Sequence, residues 1–187
     1  MKVLVACEFS GRVRDAFIRK GHDAISCDLI DTDTPGPHYK GDVRDILGNG
    51  WDLMIAHPPC TYLARSGIHW NKRRPERAKK TEEALEFVKL LLDAPINMIA
   101  LENPIGVIST RIKMYSQVIH PWKFGHPEQK PTCLWLKNLP RLKSTNIIPM
   151  KDIDHTAIGR VSMVRDRRRE RSITFQGIAE AMANQWG

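Results

Sequence analysis

A cysteine follows two prolines directly after a short apolar run in the first third of the chain. Residues 53–56 (LMIA) are apolar enough for a buried strand, and His57-Pro58-Pro59-Cys60 comes next. Because proline fixes the backbone, the sulfur of Cys60 is better placed to face a cleft than to fill the core. As a thiolate it would be a nucleophile, and we favour this role over that of a core residue.

A carboxyl group occupies the equivalent place after a later apolar run. The run from Met98 to Leu101 ends in Glu102-Asn103-Pro104. Parallel strands of one sheet present their carboxyl ends at the same edge, so we expect Cys60 and Glu102 to lie close together. A thiol nucleophile beside a carboxyl acid can attack an electron-poor ring and protonate it.

Three other residues at predicted strand ends are typical of a bound adenosine. Gly11 stands between a strand and a helix, where it lets a ligand approach backbone N–H groups. Asp28 ends the second strand and can bind a ribose diol, while Asp42 can accept from an adenine amino group. Their order predicts an adenosine-containing cofactor. The chain has no G-x-x-x-x-G-K-[ST] motif, so a Walker nucleotide site is not indicated.

Alternating strands and helices must position these residues. Strands are predicted at 2–7, 23–29, 52–56 and 98–101, with a short strand or turn at 38–47; helices are predicted at 12–20 and 81–93, the second capped by Thr81. Repeated strand–helix–strand units predict an α/β fold with a mainly parallel sheet and helices on both faces. The polar and basic residues 61–80 are predicted to form a mobile loop.

The C-terminal third follows a different pattern. Residues 123–136 predict strands joined by a polar turn, and residues 140–170 are irregular and charged. Residues 172–187 predict a terminal helix with Ile178, Ala181 and Met182 facing inward.

Length and composition predict one catalytic domain over residues 1–187. A chain of 187 residues is short for two domains, and 42% hydrophobic with 27% charged residues is ordinary for a soluble protein. We expect no membrane span and no signal peptide. The four cysteines lie far apart in the sequence, which favours a reduced, cytoplasmic protein. The four cysteines form no C-x-x-C pair, so neither zinc nor another metal is expected. Cys7, Cys27 and Cys133 are expected to be buried core residues.

The net charge of +8 predicts a polyanionic partner. Much of the charge lies in two clusters, the first basic cluster at residues 72–80 (KRRPERAKK) and the second at residues 165–171 (RDRRRER). Nucleic acid is the partner that we favour, although a solvated surface would give the same pattern.

The ordered set of strand-end motifs resembles the cytosine-C5 DNA methyltransferase family, and more closely its compact, phage-type branch. The resemblance covers most of residues 1–110 and, weakly, the last 17 residues. It implies a Rossmann-like class I fold, S-adenosylmethionine as cofactor and C5 of cytosine in DNA as methyl acceptor. The matching segments are Phe9-Ser10-Gly11, Asp28, Gly41-Asp42-Val43, Pro58-Pro59-Cys60 and Glu102-Asn103-Pro104.

The family implies a role for each matching position. Cys60 would attack C6 of cytosine and Glu102 would engage N3. The cofactor would contact Phe9 at its adenine, Gly11 at its methionine end, Asp28 at its ribose and Asp42 at its adenine amine, with Ser10 and Pro58 beside them. The substrate would contact Pro59, Asn103, Arg65, Lys130 and Thr132.

The chain departs from the family pattern at four places. Arg12-Val13-Arg14 follows Gly11 where the family has more glycines, and Pro104 replaces a valine. No arginine-x-arginine strand is found, and Lys130 or Thr132 is the candidate to replace it. Residues 140–170 stand where family members that read duplex sequence carry a separate recognition domain, and they are too few to form one.

These departures leave two other functions open. The same chemistry could act on a cytosine nucleotide, RNA or single-stranded DNA, or the chain could be a degenerate homologue that binds DNA or a partner. In the loop after Cys60, Trp70 is either a residue that stacks on an extruded base or part of an exposed, flexible loop. Trp122, Trp135 and Trp186 are expected to pack in the core. The histidines show no metal-ligand spacing and are expected in the core or at the surface: His57, His69, His120, His126 and His155.

Overall fold

The computed structural model describes residues 1–154 and 167–187, which contain a single seven-stranded sheet. Its spatial order is β3-β2-β1-β4-β5-β7-β6. The first five strands pair in parallel, and β7 runs antiparallel to both of its neighbours. The strands are β1 (Lys2–Ala6), β2 (Asp23–Asp28), β3 (His38–Lys40), β4 (Leu53–Ala56), β5 (Met98–Pro104), β6 (Gln117–Ile119) and β7 (Thr132–Lys137).

Helices cover both faces of this sheet. On one face Phe17 and Met182 pack with Val3 and Val5 of β1, and on the other Leu85 and Val88 pack with the alternate β1 residues. This arrangement confirms the predicted α/β, Rossmann-like fold. The helices are α1 (Arg12–Arg19), α2 (Arg65–Ile68), α3 (Pro75–Leu92), α4 (Ile108–Arg111), α5 (Arg167–Ser172) and α6 (Gln176–Trp186), with 3₁₀ turns at Val43–Asp45, His69–Lys72, Pro121–Lys123 and Met150–Asp152.

The order of the strands places a crevice between β1 and β4. Strand β1 has β2 on one side and β4 on the other, so the connections that leave β1 and β4 diverge to opposite faces. Ligands of open α/β sheets bind at such a switch point, beyond the carboxyl ends of the strands. Residues 57–60 follow β4 there.

The segment after Cys60 is ordered, so the predicted mobile loop over 61–80 is wrong. It contains α2, a 3₁₀ turn and the first six residues of α3, which begins at Pro75. Proline is suited to the first helical turn, and the arginines and lysines that follow are good helix formers. Thr81 therefore lies inside α3 and does not cap it; its hydroxyl donates instead to the carbonyl of Tyr62 at 3.0 Å.

The C-terminal third differs from its predicted pattern in two ways. Only one strand, β7, lies within residues 123–136, and its hydrogen-bonded neighbours are β5 and the earlier β6. Prolines at 127 and 131 interrupt the segment before β7 and remove donors that a strand would need. The span 140–170, predicted to be irregular, includes the start of α5, while residues 155–166 lie outside the described ranges.

The terminal helix confirms its prediction. Helix α6 buries Ile178, Ala181 and Met182 against the sheet and α1. Within residues 1–154 and 167–187, no helix combines the length and the apolar character that crossing a bilayer requires.

Candidate active site

The turn that carries Cys60 is held from two sides. The backbone N–H of His57 donates to the carbonyl of Ala6 in β1 at 2.9 Å. On the other side, the buried amide of Asn103 donates to the carbonyl of Pro58 at 2.7 Å. Cys60 itself is exposed, and its carbonyl accepts from the N–H groups of two residues in the following turn, Leu63 and Ala64. The thiol is therefore presented on a turn fixed to both neighbouring strands.

The loops that follow β4 and β5 are joined by backbone hydrogen bonds. The N–H of Arg65 donates to Ile105 at 3.0 Å, and the N–H of Val107 donates to Leu63 at 2.9 Å. Gly106 permits this approach, because a Cβ there would lie 2.0 Å from the carbonyl oxygen of Leu63. Cys60 and Glu102 thus belong to one connected edge of the sheet.

Glu102 shares its carboxylate with a histidine. Its Oε2 lies 2.9 Å from Nδ1 of His57, and the side chains are 20% and 6% exposed. Burial raises the pKa of Glu102, but the hydrogen bond and charge of His57, with Lys130 and Thr132, lower it more, so the net pKa is below the ordinary value. The carboxyl group is therefore held in its ionised form.

Glu102 and Cys60 interact electrostatically. Loss of solvent around the thiol raises the pKa of Cys60 above its ordinary value, and the negative charge of Glu102 raises it further. The positive charges of Lys130 and Arg171 act in the opposite direction. A thiol, a carboxylate and two cations therefore lie within one electrostatic environment at the tips of β4 and β5.

Lys130 and Thr132, the candidates to replace the arginine strand, both adjoin this environment. Thr132 is buried at the start of β7, where it pairs with Pro104 of β5. Lys130 donates through Nζ to the backbone carbonyl of Arg171 at 2.7 Å. This bond brings α5 to the site, so Arg171 of the second basic cluster lies near the thiol.

A cavity of about 460 Å³ lies beside the turn that carries Cys60. Of the residues predicted to bind the cofactor, Asp28, Asp42 and Pro58 line it, together with Pro59 from the predicted substrate set. Asp28 accepts from the N–H of Ile30, and Asp42 accepts from the backbone and guanidinium of Arg44. Carboxylate oxygens have several acceptor sites, so both side chains retain capacity for a ligand.

The cavity fits an adenosine-containing cofactor in size and chemistry. Its volume lies within the range of small-molecule pockets, which extends over roughly 300–1,000 Å³. Two carboxylates at strand ends supply acceptors for a ribose and an amino group. Apolar surface for a flat ring comes from Leu29, Val43, Leu63, Ala84 and Phe87.

Phe9, Ser10 and Gly11 are not among the residues that line this cavity. Phe9 is 7% exposed, and the guanidinium of Arg169 lies 4.4 Å from its ring centroid. The Ser10 hydroxyl donates to Glu8 at 3.1 Å. The cofactor contacts expected of these three residues therefore remain predictions.

Gly11 is required by packing within the chain. It has a left-handed φ of 73°, and a Cβ would lie 2.1 Å from the hydroxyl oxygen of Thr34. Thr34 is held there by the fully buried Arg14, whose guanidinium also bonds Asp15 and Ser26. This network gives Arg14 a structural role in the segment that follows β1.

Cys7 is not the buried strand residue that the sequence predicts. It follows β1 in a left-handed conformation with φ of 58°, is partly exposed and lines the cavity. Burial raises its pKa strongly, which disfavours a thiolate. Cys27 and Cys133 are buried as predicted.

The first basic cluster surrounds the beginning of α3, next to the loop after Cys60. Arg77 is partly structural, since it donates to the carbonyls of Gly67 and Thr61. Arg74 stacks on Trp70, whose ring is exposed. A second cavity of about 480 Å³ lies here, lined by Tyr62, Arg74, Pro75, Glu76, Arg77 and Lys80.

Other sequence expectations have mixed outcomes. Trp135 and Trp186 are buried as predicted, while Trp122 is partly exposed. His155 and part of the second basic cluster lie outside the described residues. Within the described part of the chain, no group of histidine, cysteine or acidic residues could hold a metal ion.

Two residues of the site were missed by sequence reasoning. His57 was interpreted as a core or surface residue, although its position three residues before Cys60 was a usable signal. Arg171 could not be placed at the site, because its sequence neighbours indicate only a charged surface.

Comparisons with known proteins assign no family. No protein-family model matches the chain, and no curated protein matches it. Among solved structures, it is similar to a crystal structure of a "putative DNA modification methyltransferase" encoded within an E. coli prophage, with 14% identity and a TM-score of 0.49. The match covers 80% of this chain and 52% of that one, so the chain spans about half of its length. A likeness of this strength carries no information about activity.

Proposed function

We propose that the protein is an S-adenosylmethionine-dependent methyltransferase that modifies C5 of cytosine in DNA through a covalent bond to Cys60. One geometric observation carries the proposal: the turn that presents Cys60 after β4 is bonded through Pro58 to Asn103, the neighbour of Glu102 in the adjacent parallel strand β5, beside a cavity lined by Asp28 and Asp42. This combination suits addition to a pyrimidine ring and provides room for an adenosine.

Each residue then has a defined chemical task. The Cys60 thiolate forms a bond to C6, and the electron pair of the C5–C6 double bond shifts into the ring, so that C5 becomes nucleophilic. N3 takes a proton from solvent, and the Glu102 carboxylate accepts a hydrogen bond from that N3–H. S-adenosylmethionine, when bound, supplies the methyl group to C5. Solvent water then takes the C5 proton, the C5–C6 double bond forms again, and the electron pair of the S–C6 bond returns to Cys60 as a thiolate, while the N3 proton returns to solvent.

Lys130 and Arg171 support the nucleophile. Their positive charges lower the pKa of Cys60 and oppose the effects of desolvation and Glu102. Since the thiolate is the reactive form, these two cations increase the reactive fraction at a given pH. They also provide attraction for the phosphate of the nucleotide that carries the target base.

The basic surface at the start of α3 supports DNA as the substrate. Lys72, Arg73, Lys79 and Lys80 are exposed there, next to the segment that follows Cys60. Such a surface attracts phosphates without reading sequence. In a duplex the target cytosine must leave the helix, and the exposed Trp70 is our candidate to occupy or flank the gap.

Analysis of nucleosides tests this function. Duplex DNA, single-stranded DNA, RNA and dCMP are incubated with the protein and S-adenosylmethionine, and their nucleosides are measured by mass spectrometry. We expect 5-methylcytosine in DNA with the wild type and none with Cys60→Ser. Methylation of dCMP and of no other substrate would show that the same reaction acts on a free nucleotide and not on DNA. Absence of product with every substrate would contradict the proposal.

A further inference from the structure

The imidazole of His57 is bonded on one side only. Its Nδ1 lies 2.9 Å from Oε2 of Glu102, and the side chain is 6% exposed. Its other nitrogen, Nε2, is buried and has no hydrogen-bond partner among the described residues. An ionised carboxylate can only accept a hydrogen bond, so the 2.9 Å contact with Oε2 places a proton on Nδ1, whether the ring is neutral or charged.

The backbone of His57 is held independently of the carboxylate. His57 follows β4 directly, and its N–H is bonded to Ala6 of β1. The next residue, Pro58, is buried and receives the amide of Asn103 from β5. His57 is thus held between the two strands, on the turn that presents Cys60.

The hydrogen bond to His57 uses one carboxylate oxygen of Glu102 and leaves the other available for the target base. Oε2 accepts from the imidazole, while the Glu102 side chain retains 20% exposure at the edge of the sheet. An unrestrained glutamate would sample several rotamers there, and only some would point towards a base beside Cys60. A carboxylate that is already fixed in one rotamer reaches the reactive geometry without losing conformational entropy when the base binds.

We propose that His57 is a positioning residue for Glu102, which it orients towards the target ring by donating a hydrogen bond from Nδ1. This inference rests on the proposed function for its catalytic consequence, but the contact with Glu102 can be measured without catalysis. The other groups that interact electrostatically with the carboxylate are Lys130, which precedes β7, Thr132 and Cys133 of β7, and the Cys60 thiol. Because Lys130 also lowers the pKa of Glu102, loss of His57 removes only part of the shift.

Two substitutions separate the hydrogen bond from the shape of the ring. His57→Phe keeps a planar ring and removes the donor, whereas His57→Asn keeps an N–H near the position of Nδ1 and loses the ring. His120→Phe is the matched control, because His120 also has a buried ring nitrogen without a partner among the described residues. His120 lies after β6 and stacks near Trp122.

The first measurement is the titration of the Glu102 carboxyl carbon by NMR, with the folded state checked by circular dichroism. We expect a higher pKa of Glu102 in His57→Phe and values near that of the wild type in His57→Asn and His120→Phe. Methyl transfer should fall about 10- to 100-fold in His57→Phe, which is the usual effect of one hydrogen bond to a charged group. His57→Asn should recover most of this loss.

An unchanged Glu102 pKa in His57→Phe would overturn the inference, whatever the loss of methyl transfer in the two His57 variants. If His57→Phe does not fold, ¹⁵N NMR of the wild type shows which nitrogen of the His57 imidazole carries the proton. A proton on Nδ1 supports the inference, and a proton on Nε2 alone overturns it. Absence of methyl transfer in the wild type would count against the proposed function, while the titrations would still decide the role of His57.

Discussion

The side-chain amide of Asn103 donates a 2.7 Å hydrogen bond to the carbonyl of Pro58 and thereby joins the tip of β5 to the turn that carries Cys60. Glu102 precedes Asn103, so one strand end positions both the carboxylate and the thiol. The distance between the two reactive groups therefore depends on a bond that neither of them makes.

Replacing Asn103 with aspartate should displace this turn. The new carboxylate would face the Pro58 carbonyl, and two acceptors cannot share a hydrogen bond. We expect methyl transfer to fall at least about 10-fold, since a buried acceptor loses its donor. Asn138→Asp is the control, because Asn138 makes the same kind of bond to Asn97 at an exposed site. Equal activities in the two variants would show that the bond does not position Cys60.

Gly106→Ala should separate the loops that follow β4 and β5. The added methyl group would lie 2.0 Å from the carbonyl oxygen of Leu63, so backbone must move. We expect the free energy of unfolding in urea to fall by about 1–3 kcal/mol, as for other overpacked sites, with less methyl transfer. Gly48→Ala, which meets no atom within 4 Å, should remain within about 0.5 kcal/mol of the wild type. If Gly106→Ala leaves the free energy of unfolding unchanged, the two loops are not tightly joined.

The reactivity of Cys60 should depend on the charges around it. Its pKa is raised, so alkylation by iodoacetamide should reach half its maximal rate at a higher pH than for a free cysteine. Glu102→Gln removes a like charge and should move this midpoint to lower pH, whereas Lys130→Met removes a cation and should move it to higher pH. Rates are followed by mass spectrometry of the Cys60 peptide, with Lys151→Met as control. Shifts in the same direction would contradict the arrangement of charges.

Asp28 should contribute to cofactor affinity. It lines the cavity at the end of β2, where a carboxylate can accept from two ribose hydroxyls. Asp28→Ala should weaken binding of S-adenosylmethionine by about 10-fold or more, as measured by calorimetry. Asp23→Ala at the exposed start of the same strand is the control. Equal affinities for S-adenosylmethionine in the two variants would show that the ribose does not bind at this end of β2.

The sequence predicts β1, β4 and β5 of the parallel part because each is a short apolar run followed by polar residues, whereas β3 (HYK) has no such pattern. It also predicts that Cys60 and Glu102 share an edge, since this requires only that β4 and β5 be parallel neighbours. It does not predict the order of residues 61–80, because their polar composition gives no sign of the backbone hydrogen bonds that this segment makes to Ile105 and Val107. Nor does it reveal His57 and Arg171, because contacts between distant segments leave no local periodicity.

The formation of a covalent adduct tests the central claim most directly. DNA containing 5-fluorocytosine is incubated with the protein and S-adenosylmethionine, because fluorine at C5 blocks the final loss of a proton and retains the bond to C6. We predict a complex that survives denaturation, with the attachment mapped by mass spectrometry to the Cys60 sulfur and absent in Cys60→Ser. Attachment at Cys7, or methylated DNA without any adduct, would contradict the account.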